Sequence, residues 1–216
     1  MNHLRKLIQL KYLKVLSNVL LILFCAVILA VTIRGNAGNP TPKELSTNVW
    51  KDNGPLELSP ERGRFALLYA VVEQHSFSFT PDLAKFATPD VGFVNGKYVS
   101  LFAPTVSFIA VPGYVIGKYF GISQVGSFAI IALFALFNVF LIRAIAIKMG
   151  ANPLAATIGA LTFLFATPAF AYAVTLYQHH ISTFIILMCI FLLLKYKSVW
   201  SLIVIWILCA DRKSVV

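Results

Sequence analysis

Charge is scarce in this chain: 12% of its 216 residues are charged, against about 25% in an ordinary soluble domain. With 59% hydrophobic residues and a mean hydropathy of +0.82, no core of this size can bury the surplus apolar surface, which excludes a soluble domain. Three cysteines are too few for a disulfide-stapled module. Cys25, Cys189 and Cys209 all lie in apolar runs, where they read as packing or lipid-facing residues and carry no information on redox compartment. The 12 glycines show no period, excluding a collagen-like chain, and 13% aromatic residues exclude disorder. No internal repeat or low-complexity segment stands out.

Acids are scarcer still, eight against 18 Lys and Arg, for a net charge of +10. In a soluble protein that balance would point to nucleic acid. Here the placement of the charges points instead to membrane topology, and no nucleic-acid partner is expected. Seven of the eight acids, Glu44 to Asp90, share one segment with seven bases that balance them, and the eighth is Asp211. Uncharged stretches run 15–33, 98–117, 119–142, 149–194 and 198–210. At roughly 20 residues per span, 149–194 is long enough for two spans joined at Tyr177-Gln178-His179-His180.

Counting 98–117 as a span would place Arg143, Lys148, Lys195 and Lys197 outside and leave the inner loops almost bare. If 98–120 instead rests at the outer interface or re-enters, every acid-free basic cluster falls on the side of the basic N-terminus, as the positive-inside rule requires. Pro104, Pro112, Gly113, Gly117 and Lys118 suit a broken helix there. The expectation is an all-α, polytopic helical membrane protein of the plasma membrane. Its parts are a cytoplasmic basic tail at 1–14, a first span at 15–33 and a large outer loop at 34–122. A bundle of about three and a half spans follows over 123–210, with spans at 123–142, 154–176 and 182–194 and a fifth beginning near 198. A signal peptide is the alternative for the first span. The 19 uncharged residues exceed the usual apolar region of about 7–15 residues, and no clean small-x-small cleavage site closely follows Arg34.

The outer loop is where chemistry is expected. After the turn-rich stretches Asn36 to Pro42 and Asp52 to Pro55, Ser59 as N-cap, Pro60 at the first helical position and Glu61 in the first turn predict a helix start. Phe65, Leu68, Tyr69 and Val72 form an apolar stripe with Arg64, Glu73 and Gln74 off it. This predicts an amphipathic helix of about four turns, lying along the membrane surface or on the bundle. An extended piece, Phe77 to Thr80, the turn Asn95-Gly96 and the aromatic Tyr98 lead on to Ala103-Pro104.

A basic N-terminus, one span, then Pro60-Glu61-Arg62-Gly63-Arg64-Phe65-Ala66 and Tyr98-Val99-Ser100-Leu101-Phe102-Ala103-Pro104 together resemble the amino-terminal part of GT-C-fold membrane glycosyltransferases. That group includes protein O-mannosyltransferases, aminoarabinose transferases and RgtA-like sugar transferases. The segment Asn95 to Thr105 stands where similar bacterial proteins carry NGKYYS-DKAPG, and Phe165 to Pro168 and Leu176 to His180 are similar to that group as well. The resemblance covers roughly residues 15–200.

It implies a GT-C-like fold and transfer of a sugar from a lipid-linked, polyprenyl-phosphate donor to an acceptor on the outer face, with membrane lipid as the surroundings. Glu61 matches the position of the family's outer-loop catalytic Asp, although Glu is also favoured in any first helical turn. The family's Lys before Ala-Pro is replaced here by Phe102, and the acid before it by Leu101. Either Lys97, Arg62 or Arg64 takes the phosphate role, or the activity differs or is absent. Asp90 is a second carboxylate candidate that also suits a turn after Thr-Pro. His179 and His180 lie where relatives place polar or acidic residues facing the site, and adjacent helical positions let at most one of them face the bundle.

This pair is too few for zinc; no cofactor is implied, and dependence on a divalent metal and the oligomeric state stay open. The alternatives are a lipid-linked glycan polymerase or ligase, and a non-catalytic polytopic membrane protein. The short run 198–210 and the hexapeptide Asp211 to Val216, which sequencing-adapter read-through can spell, lead us to expect a fragment with a non-native tail at 211–216, inactive alone.

Overall fold

The computed structural model describes residues 2–196 together with Trp200 and Ile203, with side chains from Leu16 onward. Apart from those two residues, the expected fifth span, and all of the expected tail at 211–216, lie outside the described residues. The chain divides into two compact units, Met1–Thr32 and Ile33–Val216. In the first unit α1 (Asn2–Thr32) carries the apolar helical stretch Leu16–Thr32.

The second unit opens with two single turns, α2 (Pro42–Leu45) and α3 (Asn48–Lys51), followed by α4 (Ser59–Glu73). Next come β1 (Ser78–Phe79), α5 (Pro81–Ala87), β2 (Val91–Val94) and β3 (Lys97–Ser100). Then follow α6 (Thr105–Tyr119), α7 (Ser123–Lys148), α8 (Pro153–Phe165), α9 (Ala169–Ala173) and α10 (His179–Tyr196). The described chain is thus mostly helical, as expected, with a small antiparallel sheet of order β1-β3-β2 added. The Asn95-Gly96 turn makes that sheet possible: φ is +50° and +76° at the two positions, the left-handed pair that a two-residue hairpin turn requires.

The helix predicted from Ser59 forms, but its surroundings differ from a surface-lying amphipath. Phe65 and Leu68 of the stripe are fully buried, and burial extends around the helix to Gly63, Arg64, Ala66, Leu67 and Ala70. The reason is that α5, α6, β1 and β3 all pack on it. Phe65 meets Phe86 edge-on at 6.5 Å and Tyr114 at 5.9 Å, joining α4, α5 and α6 into one core. Ser59 lies inside the helix, and its hydroxyl turns to Asp90. Leu58 holds the N-cap position, and the Glu61 carboxylate takes the Leu58 N–H at 3.3 Å.

The segment expected as a broken helix is instead a continuous α6, bounded by Pro104 and by Gly121 at φ +71°. It lies hard against α7, and glycine permits this: a Cβ on Gly126 would stand 2.0 Å from the Gly113 carbonyl oxygen, and one on Gly117 2.6 Å from that of Ile122. Asn39 fastens the turn between these helices, donating to the Lys118 carbonyl at 2.9 Å and accepting from the Ser123 N–H at 3.2 Å.

Among the described residues two helices are long and apolar enough to cross a membrane, α7 with 26 residues and α10 with 18. The expected continuous helix over 154–176 is interrupted. α8 is 13 residues long, a rise of about 20 Å, and ends at Phe165. Pro168 has no N–H to continue the helix, and Thr167 turns its hydroxyl back to the Phe163 carbonyl at 2.6 Å. After α9 the chain from Val174 to Gln178 is irregular.

Candidate functional site

Glu61 sits in the first turn of α4 and is fully buried. One carboxylate oxygen, Oε2, caps its own helix through Leu58 N–H, and Oε1 accepts the Leu176 N–H at 3.0 Å, from 115 residues away. Burial raises its pKa above the ordinary carboxylate value; the two backbone N–H groups act against that, Leu176 more than Leu58.

Arg64, one turn further along, is also buried and reaches the same segment. Its guanidinium donates to the Leu176 carbonyl at 3.4 Å and to Gln178 Oε1 at 3.4 Å, long contacts for N–H donors. The cation lies between two rings, 4.9 Å from the Phe102 centroid and 5.1 Å from that of Tyr177. Phe102 can approach because position 63 is glycine, where a Cβ would come within 3.1 Å of its ring. Among the described residues no carboxylate lies within ion-pair distance of Arg64, and its Nε is buried with no hydrogen-bond partner. Burial draws its pKa down, opposed by Tyr177 and Glu61. Leu176 is therefore shared: its N–H belongs to the acid and its carbonyl to the cation.

The other sequence candidates lie in different settings. Arg62 turns away from this junction and donates to the carbonyls of Glu57 at 2.8 Å, Thr88 at 3.3 Å and Lys51 at 3.4 Å. Asp90 accepts from Ser59. Lys97 is exposed at the hairpin turn.

The two histidines part company, as their helical positions require. His180 is buried, with Nε2 2.7 Å from the Ala169 carbonyl and Nδ1 3.1 Å from Asn138 Nδ2, so Nε2 carries the proton and Nδ1 accepts. His179 is exposed and packs on Tyr172 at 4.2 Å and stacks on Tyr177 at 5.7 Å. Both histidines line a cavity of about 230 Å³ with Phe163, Tyr172, Thr183 and the Thr167–Ala169 bend.

Sequence reasoning named Glu61, Arg64 and the histidines but not the residues that join them. Tyr177 and Gln178 were visible as a turn between two apolar runs, and nothing in the local sequence signals that Leu176 receives both charged groups. Asn138 was visible as a polar residue in an apolar run, and its partner, 42 residues on, was not. Among the described residues no group of three or more His, Cys, Asp or Glu is arranged to hold a metal ion. No family model matches the chain, no curated protein matches it, and no solved structure matches it.

Proposed function

We propose that this chain belongs to a membrane glycosyltransferase that moves a sugar from a polyprenyl-phosphate donor to an acceptor at the outer face. The observation that carries this reading is the junction at Leu176, where a buried acid of raised pKa and a buried cation with no carboxylate partner among the described residues meet one irregular peptide segment. A buried carboxylate base of raised pKa and a cation held in a dry, aromatic setting are the two groups that such a transfer needs.

In the proposed step the acceptor oxygen attacks the anomeric carbon while Glu61 takes the hydroxyl proton. The bond from the anomeric carbon to the phosphate oxygen breaks, its electron pair stays on the phosphate, and Arg64 balances that charge. Leu176 covers both groups at rest, so donor binding has to draw the 174–178 segment aside. That segment forms no helix, and the movement has to draw the buried Leu176 out of the hydrophobic core. On this reading α7 and α10 are spans, further spans complete a multi-pass bundle, and the basic N-terminus is cytoplasmic.

The test is transfer of labelled sugar from a polyprenyl-phosphate donor by membranes carrying the complete protein, with Glu61→Gln as the comparison. Wild-type transfer that falls in the variant supports the reading. A second reading has its own observation: both Glu61 oxygens already accept backbone N–H groups, as they would in a purely structural tie within a non-catalytic membrane protein. It predicts no transfer by the wild type and a folding defect in the variant.

A further inference from the structure

The cavity at the head of α10 is a second feature of this end of the bundle, separate from the Leu176 junction. Its volume, about 230 Å³, is below the roughly 300–1,000 Å³ of drug-sized ligand sites, so it suits a single small ring. Among the described residues no Asp, Glu, Lys or Arg lines it, which leaves none of them to balance an ionic ligand. It is not a purely greasy slot either. Phe163, Tyr172 and His179 supply aromatic surface, while the Thr183 hydroxyl and the His179 ring nitrogens supply hydrogen-bonding groups.

The two histidines divide the work. His180 has both ring nitrogens committed, to Asn138 and to Ala169, and so fixes the wall. His179 meets its neighbours through ring contacts, which leaves its nitrogens available to a ligand. The rings also run on from the cavity: Tyr172 to His179 at 4.2 Å, His179 to Tyr177 at 5.7 Å, and Tyr177 to the Arg64 guanidinium at 5.1 Å.

A ligand that matches this lining is neutral, ring-shaped, hydroxylated at its edge and apolar on its face. The negative face of an aromatic ring attracts polarised C–H groups, and hydroxyls at the ligand's edge pair with Thr183 and His179. We infer that the cavity is a binding site for one neutral monosaccharide ring. The sugar identity of the ligand rests on the transferase reading, whereas the neutral, ring-sized character rests on the lining alone.

The test measures equilibrium binding of a panel of neutral methyl hexopyranosides to the full chain in lipid nanodiscs. Tyr172→Ala, which removes the ring, and Thr183→Val, which keeps the shape and removes the hydroxyl, are the variants. Binding by the wild type is expected to weaken about 3- to 10-fold in Thr183→Val and more in Tyr172→Ala, with inorganic phosphate failing to compete. Glu61→Gln should bind as the wild type does, since Glu61 does not line the cavity. Absence of binding by every member of the panel, or binding indifferent to both cavity variants, overturns the inference. Binding that depends on Thr183 in a protein that transfers no sugar leaves the cavity site standing and removes the transferase reading. Transfer that depends on Glu61, with cavity variants unaltered in binding, does the reverse.

Discussion

Two buried polar pairs stand in contrast in this molecule. Asn138 and His180 join α7 to α10, two regular helices, and Asn138 grips both the ring and the carbonyl of its partner, at 3.1 and 3.0 Å. Glu61 and Arg64 instead share one peptide of an irregular segment, and the Arg64 contacts are long at 3.4 Å. The first pair ties two helices together, and the Ala169 carbonyl holds the other ring nitrogen of His180 at 2.7 Å. The second is held by a segment outside any helix, yet Val174, Thr175 and Leu176 of that segment are buried and Leu176 belongs to the hydrophobic core. The polar pair in the bundle thus joins two helices, while the pair at the head of α4 meets a single peptide outside regular structure.

The sharpest way to break the comparison is topological, because the outcome is all or none. α7 spans about 39 Å at 1.5 Å per residue, with Lys118 just before it and Lys148 at its end. In a version lacking the native cysteines, a cysteine at Lys118 should react with an impermeant outer reagent and one at Lys148 should not. Lys118 also pairs with Glu73 at 2.6 Å, an exposed contact whose loss should cost no more than about 1 kcal/mol. Protection at 118 with labelling at 148 would place the Glu61 junction on the inner side.

Next in size is the rate effect at the junction. Glu61→Gln should lower transfer by at least roughly 10²-fold while the protein still inserts in the membrane; the Gln amide nitrogen cannot accept, so one of the two backbone N–H bonds is lost, at about 1 kcal/mol. Asn138→Leu should show the opposite pattern: it strands the His180 ring and carbonyl, so thermal unfolding in detergent should report a loss of about 1–3 kcal/mol. Equal destabilisation by the two substitutions would erase the distinction drawn between the pairs. The smallest effect is expected at Asp90, where Asp90→Asn keeps an acceptor for Ser59 and should cost transfer less than tenfold in the same assay.

What was legible in the sequence followed from local rules. Uncharged length marks α7 and α10, Pro60 and Glu61 mark the start of α4, and Asn95-Gly96 marks the hairpin turn. The Thr167-Pro168 break in the expected third span was also written locally, in a proline that cannot continue a helix, but the length of the apolar run overrode it. Arg64 shows where local reading ends. By periodicity it belongs off the apolar stripe of an amphipathic helix, yet Phe102 and Tyr177, distant in sequence, close over it. The junction of Glu61 with Leu176 spans 115 residues, and no periodicity or spacing encodes a contact of that range.

The central claim, that Glu61 is a base held at raised pKa, is tested most directly by the pH dependence of kcat/KM for sugar transfer. Because burial raises the pKa of Glu61, its ionised form is lost as pH falls through that raised value, above the range of an ordinary carboxylate. The stability linkage has the same origin. The protonated form favours the fold, a contribution fully present below the ordinary carboxylate pKa and lost as pH rises through the raised one, so ionised Glu61 is a standing cost at the pH where it works. The account predicts that kcat/KM climbs with pH along a limb centred above the ordinary carboxylate value, and that Glu61→Gln loses this limb along with the rate. A profile without the limb in the wild type, or the same limb retained in Glu61→Gln at full activity, would contradict it.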